Sequence, residues 1–487
     1  MNYTSLVYYF FLIVLLVIYY LLPMKYRWIS LLAASIIFYY SVIDRKMQLI
    51  VFGSSIIISW FFGIILYNLK NYYDSTTIVR KIVLGTGIVL STLPLLISKV
   101  GGGFLCSVLE KNLNAWVIPV GLSFYSMQII AYLADIYSGK IKAQRNPFKY
   151  ALFISFFPQI IQGPIPRYSQ LSDQLLKGRR FDAEIFVKGF MLIIWGFFLK
   201  LCIADKAGIV VNRVFDSFPT YQGIYVIIAG VLYSIQLYAD FLSCTSLAQG
   251  VSNLFGINLV DNFMHPYFAV SVKDFWRRWH ISLSSWLRDY VYIPLGGNRK
   301  GTFRKHIHML LTFAVSGIWH GNGYKYLFWG LLHGLYQVIG DCIKPVKEKV
   351  RATLKIRRDQ MFSPTIHRTI TYILVMLAWI IFRADCLKTG ISMICSIVTV
   401  HNPWILTNDA LYSLGLDWKE FHLLLFCIIV LLLVSAVQEN GINIRDRVLE
   451  KNICVRWAIY IGVILFIVIF GTYGYGYDAQ AFIYGGF

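Results

Sequence analysis

Two histidines of this sequence lie in apolar surroundings, where an ionisable side chain is costly. His320 ends the run 314–320, directly after Trp319, and His333 follows thirteen residues later in a second apolar run. A neutral imidazole accepts a proton readily near pH 7, and ionisable groups at membrane depth are generally functional. His320 is therefore a candidate general base, with a hydrogen-bonded packing role as an equal alternative. For His333 alone, packing is the favoured interpretation.

Glycines surround His320 at positions 317, 321 and 323. Because glycine has no Cβ, it lets a second backbone or a substrate come close to a helix. We therefore expect a close approach of this kind around His320.

The segment 271–305 interleaves aromatic and charged residues. A continuous helix here would present Phe275, Trp279 and Ser282 on one face. Tryptophan with arginine and lysine is typical of a segment at the membrane interface, and the neighbouring apolar runs argue against nucleic-acid binding. The stretch 294–298, PLGGN, predicts a turn and lacks the spacing of a phosphate-binding loop.

The sequence contains no clear motif for a metal-dependent or a serine-hydrolase active site. The nine histidines form no HExxH motif and no cluster with carboxylates, and the sequence has no GxSxG motif. A metal site and a serine hydrolase are therefore disfavoured. A histidine without its own nucleophile suits a transferase, in which the acceptor supplies the hydroxyl and the donor supplies an activated acyl group.

These residues resemble the membrane-bound O-acyltransferase (MBOAT) family, and most closely its bacterial branch with the alginate O-acetyltransferase membrane subunits. The resemblance depends on stretches spread over most of the chain, in the order found in the family. They are residues 119–141, 155–171, 195–208, 274–299 (DFWRRWHISLSSWLRDYVYIPLGGNR), 316–321 (SGIWHG), 329–336 (WGLLHGLY) and 477–487.

The resemblance implies a ring of transmembrane helices around a central funnel, with short tilted helices holding the two motifs near its narrow point. It also implies that His320 is the essential histidine and that His280 is a second active-site residue, which orients a substrate or stabilises the oxyanion. Further candidates for binding donor or acceptor are Trp319, Asn322, Arg277, Arg278, Trp279, Arg288, Asp289, Asp240 and His333. The arginines have an alternative role as interfacial anchors paired with Asp274 or Asp289.

Two stretches depart from the family pattern. Residues 238–250, YADFLSCTSLAQG, keep Asp240 but place Ser246 where relatives carry a second acidic residue, and the tail ends in YGGF. If the missing acid shapes the acceptor path, substrate choice or activity differs from that of typical relatives.

The predicted reaction transfers an acyl group, with acetyl favoured, from a cytoplasmic thioester to a hydroxyl of a cell-surface or secreted polysaccharide. The donor is acetyl-CoA, another acyl-CoA or an acylated carrier docking at the cytoplasmic face, and no cofactor is expected to stay bound. The resemblance also implies an extracellular hydrolase-like partner that completes the transfer. The alternatives are D-alanyl transfer to teichoic acid and, in a different class, a polysaccharide or acyl transporter without catalysis.

Composition supports the membrane assignment independently. Of the 487 residues, 57% are hydrophobic and 14% are charged, and the net charge is +21. Such a chain is neither a disordered segment nor an ordinary soluble domain. Basic residues concentrate in the first, third and fifth loops, which predicts a multi-pass membrane protein with its N-terminus outside. The family resemblance implies that this membrane is the bacterial cell membrane. The eight cysteines lie mostly in apolar runs, so no disulfide framework is expected.

Hydropathy predicts an all-α polytopic protein with about 10–13 spans in a single domain, 1–487. The motif core covers about 119–340, and C-terminal helices follow in 369–487. The predicted spans are 6–23, 27–43, 48–68, 82–99, 115–137, 184–204, 222–241, 306–320, 325–340, 369–384, 421–437 and 455–472. Four shorter apolar stretches, at 149–163, 207–215, 262–272 and 389–400, are expected to be re-entrant, interfacial or buried.

Overall fold

A computed structural model describes residues 1, 3–70, 72–74, 77–100, 119–321, 323–353 and 364–473. Within these ranges all regular secondary structure is helical and no strand occurs, which confirms the predicted all-α class. Asn322 and the closing segment 477–487 lie outside the described residues. The chain forms two compact units.

The first unit comprises residues 1–193 and 244–261. A buried group of aromatic rings packs inside it, with Tyr3 stacked on Phe38 at 5.5 Å between ring centroids. Its helices are α1 (Leu6–Leu21), α2 (Arg27–Val42), α3 (Lys46–Leu69), α4 (Ile78–Ser91), α5 (Leu93–Val100), α6 (Leu122–Tyr137), α7 (Pro147–Ser155) and α8 (Tyr168–Leu176).

The second unit comprises residues 194–243 and 262–486 and contains both candidate histidines. The helices α9 (Ala183–Phe197) and α11 (Ile224–Leu254) each contribute residues to it. Its other helices are α10 (Asp205–Asp216), α12 (Val272–Arg278), α13 (Ile281–Leu287), α14 (Ile293–Leu295), α15 (Thr302–His320), α16 (Tyr324–Thr353), α17 (Pro364–Arg383), α18 (Leu387–Thr399), α19 (Trp418–Glu439), α20 (Ile444–Leu449) and α21 (Ile453–Phe470).

Six helices of the described chain are long and apolar enough to cross a membrane, and α4 with α5, bent by 65°, would make a seventh. The six are Lys46–Leu69, Ala183–Asp216, Ile224–Leu254, Pro364–Arg383, Trp418–Glu439 and Ile453–Phe470. Each predicted span overlaps a helix, so the polytopic class is confirmed. The count of 10–13 spans, the single domain, the funnel and the outside position of the N-terminus stay predictions.

The shorter apolar stretches have different structures. Residues 207–215 continue the long helix Ala183–Asp216, and residues 389–400 fall largely in α18. Residues 149–163 begin in α7, which ends at Ser155, and residues 262–272 are mostly irregular with a short 3-10 helix at Pro266–Phe268.

A wide helical turn interrupts the long helix that links α9 to α10. Residues Phe198–Ala204 are π-helical, a rare form that occurs frequently at functional sites. This turn carries Lys200, which lies beside Asp205 and Asp240 in the unit's interior.

Candidate active site

His320 is the last residue of α15, and α16 begins four residues later. Its side chain is buried, with the residue 2% exposed, and aromatic rings surround it. The imidazole lies 4.8 Å from the ring of Trp319, 5.0 Å from that of Trp329 and 5.5 Å from that of Phe382, measured between centroids. An apolar cage of this kind keeps bulk water away from the imidazole.

Glycines bring α15 and α16 into close contact next to this cage. A methyl group on Gly317 would overlap the carbonyl oxygen of Tyr326, and one on Gly330 would overlap the carbonyl oxygen of Phe313. The expected close approach at Gly317 is therefore present, and it fixes the position of the helix that ends in His320.

Replacing Gly330 with alanine is expected to push α15 away from α16. The free energy of unfolding should fall by about 1–3 kcal/mol, the typical cost of overpacking a core. The measurement is thermal unfolding of the purified protein in detergent. Gly340→Ala, in the same helix, is the control because nothing lies within 4 Å of an added Cβ there. Equal melting temperatures for the two variants would contradict the close-contact role.

His280 occupies a sharp break between two short helices. Its backbone has φ +45°, a left-handed conformation that few non-glycine residues adopt. The prediction of a continuous helix through Trp279 is wrong for this reason: α12 ends at Arg278, and α13 begins at Ile281. The break turns the imidazole into the core, where the residue is 1% exposed.

The partners of His280 come from three elements. Its imidazole meets the ring of Phe241 edge to face at 4.7 Å, and the ring of Trp319 lies 6.2 Å away. Asn262, in the irregular segment after α11, places its side-chain oxygen 3.4 Å from Nδ1 of His280. Because Trp319 contacts both histidine rings, the structure brings the two motifs together at one place.

Burial also sets the protonation of His280. The pKa of this imidazole is lowered to about 3 because its burial disfavours the charged form. At neutral pH His280 is therefore uncharged and available as a base or as a hydrogen-bond acceptor on one nitrogen.

His333 lies on α16, two turns after the start of that helix, and is fully buried. The indole Nε1–H of Trp276 donates to its Nδ1 at 3.2 Å, and its ring packs 5.0 Å from that of Trp329. These contacts suit packing, and the predicted contribution to substrate binding stays a prediction.

Asp240 belongs to a buried ion cluster. Nζ of Lys200 lies 2.8 Å from Asp240 and 3.0 Å from Asp205, and all three side chains are at most 5% exposed. Asp240 precedes Phe241 in α11, so the cluster adjoins a residue that contacts His280. Ser246, in place of the expected second acid, is also buried.

The three arginines differ in their surroundings. Arg278 pairs with Asp274 at 3.1 Å and with Glu439 of α19 at 2.7 Å, and exposed Arg288 pairs with its neighbour Asp289 at 2.9 Å. Arg277 is exposed. Of the three, Arg277 is the best placed to meet an anionic ligand in solution.

Trp279 is a core residue. It stacks on Phe275 at 5.4 Å with 18° between the rings, and it packs against Phe263 and Trp379. An open cavity of about 700 Å³ lies at Gly323, three residues after His320. Its lining residues are Gly323, Tyr324, Lys325, Asp385, Cys386, Leu387, Lys388, Ile391 and Ser392. In the described chain, no three histidine, cysteine or carboxylate residues converge as metal ligands.

Several site residues were not predicted from the sequence. The sequence does mark Lys200, because a charged residue inside a predicted membrane span is by default a candidate functional residue. Asn262 and Glu439 carried none, because their partners lie 18 and 161 residues away in the chain.

Similarity to known proteins extends over the region that carries the two histidines. Residues 142–381, which include both histidines, match the model of the MBOAT, membrane-bound O-acyltransferase family. The chain is 36% identical over 304 residues to the probable alginate O-acetylase AlgI of Pseudomonas putida, covering 62% of this chain and 57% of that protein.

Two more distant relatives are named for transfer to peptidoglycan and to teichoic acid. The chain is 32% identical over 311 residues to the peptidoglycan O-acetyltransferase of Helicobacter pylori, covering 58% of each. It is 30% identical over 261 residues to the teichoic acid D-alanyltransferase of Bacillus subtilis, covering 51% of this chain and 65% of that protein. The matches span between 50% and 57% of the length of the alginate O-acetylases.

Fold and site define a polytopic membrane protein with two buried histidines beside one tryptophan. Residues 142–381 form a domain of the membrane-bound O-acyltransferase family, and the similarity to alginate O-acetylases covers more than half of the chain.

Proposed function

We propose that this protein is a membrane O-acyltransferase that transfers an acetyl group from a thioester to a hydroxyl of a surface or secreted polysaccharide. The observation that carries the proposal is the convergence of His320 and His280 on Trp319 inside an apolar cage. The O-acetyl transfer named for the Pseudomonas and Helicobacter relatives supports acetyl as the group transferred.

In the proposed reaction His320 acts as general base. Its unprotonated ring nitrogen takes the proton of the acceptor hydroxyl as that oxygen attacks the thioester carbonyl, forming a tetrahedral oxyanion. When the oxyanion collapses, the carbon–sulfur bond breaks, and the leaving thiolate takes the proton from His320. General base catalysis of this kind accelerates a reaction by about 10²–10⁴-fold.

The apolar cage assists this step. The rings of Trp329 and Phe382 pack on the His320 imidazole, which restricts its orientation and keeps out water that would hydrolyse the thioester. His280, whose ring lies 6.2 Å from that of Trp319, positions a substrate.

The donor is acetyl-CoA, another acyl-CoA or an acylated carrier protein at the cytoplasmic face, and its phosphates or acidic surface meet exposed basic residues such as Arg277. We propose that a separate extracellular hydrolase-like protein completes the transfer to the polysaccharide.

Replacing Arg277 with alanine is expected to slow capture of acetyl-CoA by a few-fold, since an exposed cation contributes about 0.2–1 kcal/mol, and to weaken the salt dependence of the rate. The thermal stability should not change. The neighbouring Arg278→Ala should instead lower the thermal stability, because it removes the guanidinium that pairs with Asp274 and Glu439. The measurement is transfer from radiolabelled acetyl-CoA at two salt concentrations, and an unchanged rate in Arg277→Ala would contradict the docking role.

A second candidate is D-alanyl transfer to teichoic acid, which the Bacillus subtilis relative supports. Mass spectrometry of surface glycans from cells with and without this protein distinguishes the two by the mass of the added group. An acetyl increment supports the first function, an alanyl increment supports the second, and no change contradicts both.

A further inference from the structure

The amide of Asn262 has a fixed orientation. Asn262 is buried, and its Oδ1 accepts the backbone N–H of Ser282 at 3.1 Å and the Ser282 hydroxyl at 2.7 Å. A backbone N–H can only donate, so the atom facing it must be the amide oxygen rather than the nitrogen. The backbone N–H of Ser282 alone therefore identifies which side-chain atom of Asn262 is the oxygen.

The same oxygen determines where the proton of His280 lies. Nδ1 of His280 is 3.4 Å from Oδ1 of Asn262, and an amide oxygen has no proton to give. In that contact Nδ1 must carry the hydrogen, so Nε2 of the neutral imidazole holds a lone pair. Nε2 is buried and has no hydrogen-bond partner in the described part of the chain.

Asn262 also holds the backbone that aims this imidazole. Its carbonyl oxygen accepts the N–H of Ile281 at 2.9 Å, and two residues later the N–H of Met264 donates to the carbonyl of Arg278 at 2.9 Å. These bonds join the segment that begins at Asn262 to both sides of the break at His280, where the left-handed φ would otherwise be unfavourable.

We propose that Asn262 is a positioning residue that fixes His280 in its Nδ1–H tautomer and leaves Nε2 as a hydrogen-bond acceptor for the bound substrate. A neutral His280 in this tautomer has no hydrogen to offer an oxyanion. Of the two roles that family resemblance implies for His280, substrate orientation is therefore selected over oxyanion stabilisation. The catalytic part of this inference rests on the proposed O-acyl transfer, whereas the tautomer itself does not.

The tautomer can be measured without any activity. Solid-state NMR of protein labelled with ¹⁵N at the histidine rings, in lipid bilayers at neutral pH, resolves protonated from unprotonated nitrogens. The His280 signals are those lost in His280→Asn, since asparagine tolerates the left-handed backbone. The proposal expects a protonated Nδ1 and an unprotonated Nε2, and a protonated Nε2 would overturn it.

Variants of Asn262 test the consequence for activity. Asn262→Ala is expected to lower O-acetylation of surface polysaccharide by about 10- to 100-fold, by analogy with the cost of removing partners that orient metal-ligating histidines. Asn262→Asp keeps an acceptor oxygen but adds a negative charge, which raises the pKa of His280 and favours the doubly protonated ring. Its activity should therefore fall at low pH and recover as the pH rises, whereas a merely structural role predicts a loss independent of pH.

Asn402→Ala provides the matched control. Asn402 is a buried asparagine of the same unit whose side chain accepts from Ile224 N–H and donates to the carbonyl of Gln222, both at 3.0 Å. This variant should leave the His280 signals and the pH profile unchanged. A wild-type protein with the expected tautomer but no O-acetylation would refute the proposed function while leaving the tautomer established.

Discussion

His320→Ala is expected to abolish O-acylation of surface polysaccharide while the protein remains folded in the membrane. The imidazole is the group that takes the acceptor proton in the proposed reaction, so its loss removes about 10²–10⁴-fold of rate. His320→Gln should be equally inactive, because an amide cannot act as a base near neutral pH. Its side chain fills much of the cavity that alanine would leave beside Trp329 and Phe382, so this variant separates loss of the base from loss of packing.

The measurement is alkali-labile acetate on the surface glycan of cells that express each variant, with gel filtration in detergent to verify folding. His401→Ala is the control because His401 is an exposed histidine of the same unit. Full acylation by folded His320→Ala would refute its role as the base. Polysaccharide export that depends on the protein, with no acyl group at any level, would instead favour a transporter.

Lys200→Met is expected to lower the free energy of unfolding by about 3–5 kcal/mol, the cost of breaking a buried ion pair from one side. Without the lysine, the carboxylates of Asp205 and Asp240 are left in the core without their shared cation. Asp240→Asn should cost much less, because the remaining Lys200–Asp205 pair is neutral.

Thermal unfolding in detergent measures this asymmetry. Lys188→Met is the control, since Lys188 pairs with Glu184 on α9 at an exposed site where such pairs contribute about 0.3–0.5 kcal/mol. Adding Asp205→Asn and Asp240→Asn to Lys200→Met should restore much of the lost stability. Equal losses for Lys200→Met and Asp240→Asn would contradict the shared-cation arrangement.

The helices of this protein could be predicted from sequence because the bilayer imposes a length and an apolar composition on any span. The runs at 48–68 and 421–437 meet both conditions, and they coincide with α3 and α19. His320 could be recognised as a candidate because an ionisable residue at the end of an apolar run departs from that composition.

The interior of the site could not be predicted, since it depends on contacts between distant parts of the chain. Nothing near Asn262 marks it as a partner of His280, and Arg278 meets Glu439 only because α12 and α19 adjoin in the fold. The helix break at His280 was missed for a related reason. Left-handed backbone is signalled in sequence by glycine, and here a non-glycine residue adopts it under the constraint of its neighbours.

The glycine contact between α15 and α16 also bears on how the protein forms during synthesis. The two helices are joined by the three residues 321–323 and pack on each other through Gly317 and Gly330, so they need no distant segment to pair. Local pairings close quickly, whereas the surroundings of His280 require Phe241 and Asn262 to meet segments made later. We therefore expect α15 and α16 to pair with each other first. The arrangement of His280 and His320 around Trp319 would be completed only when this helix pair packs against the rest of its unit.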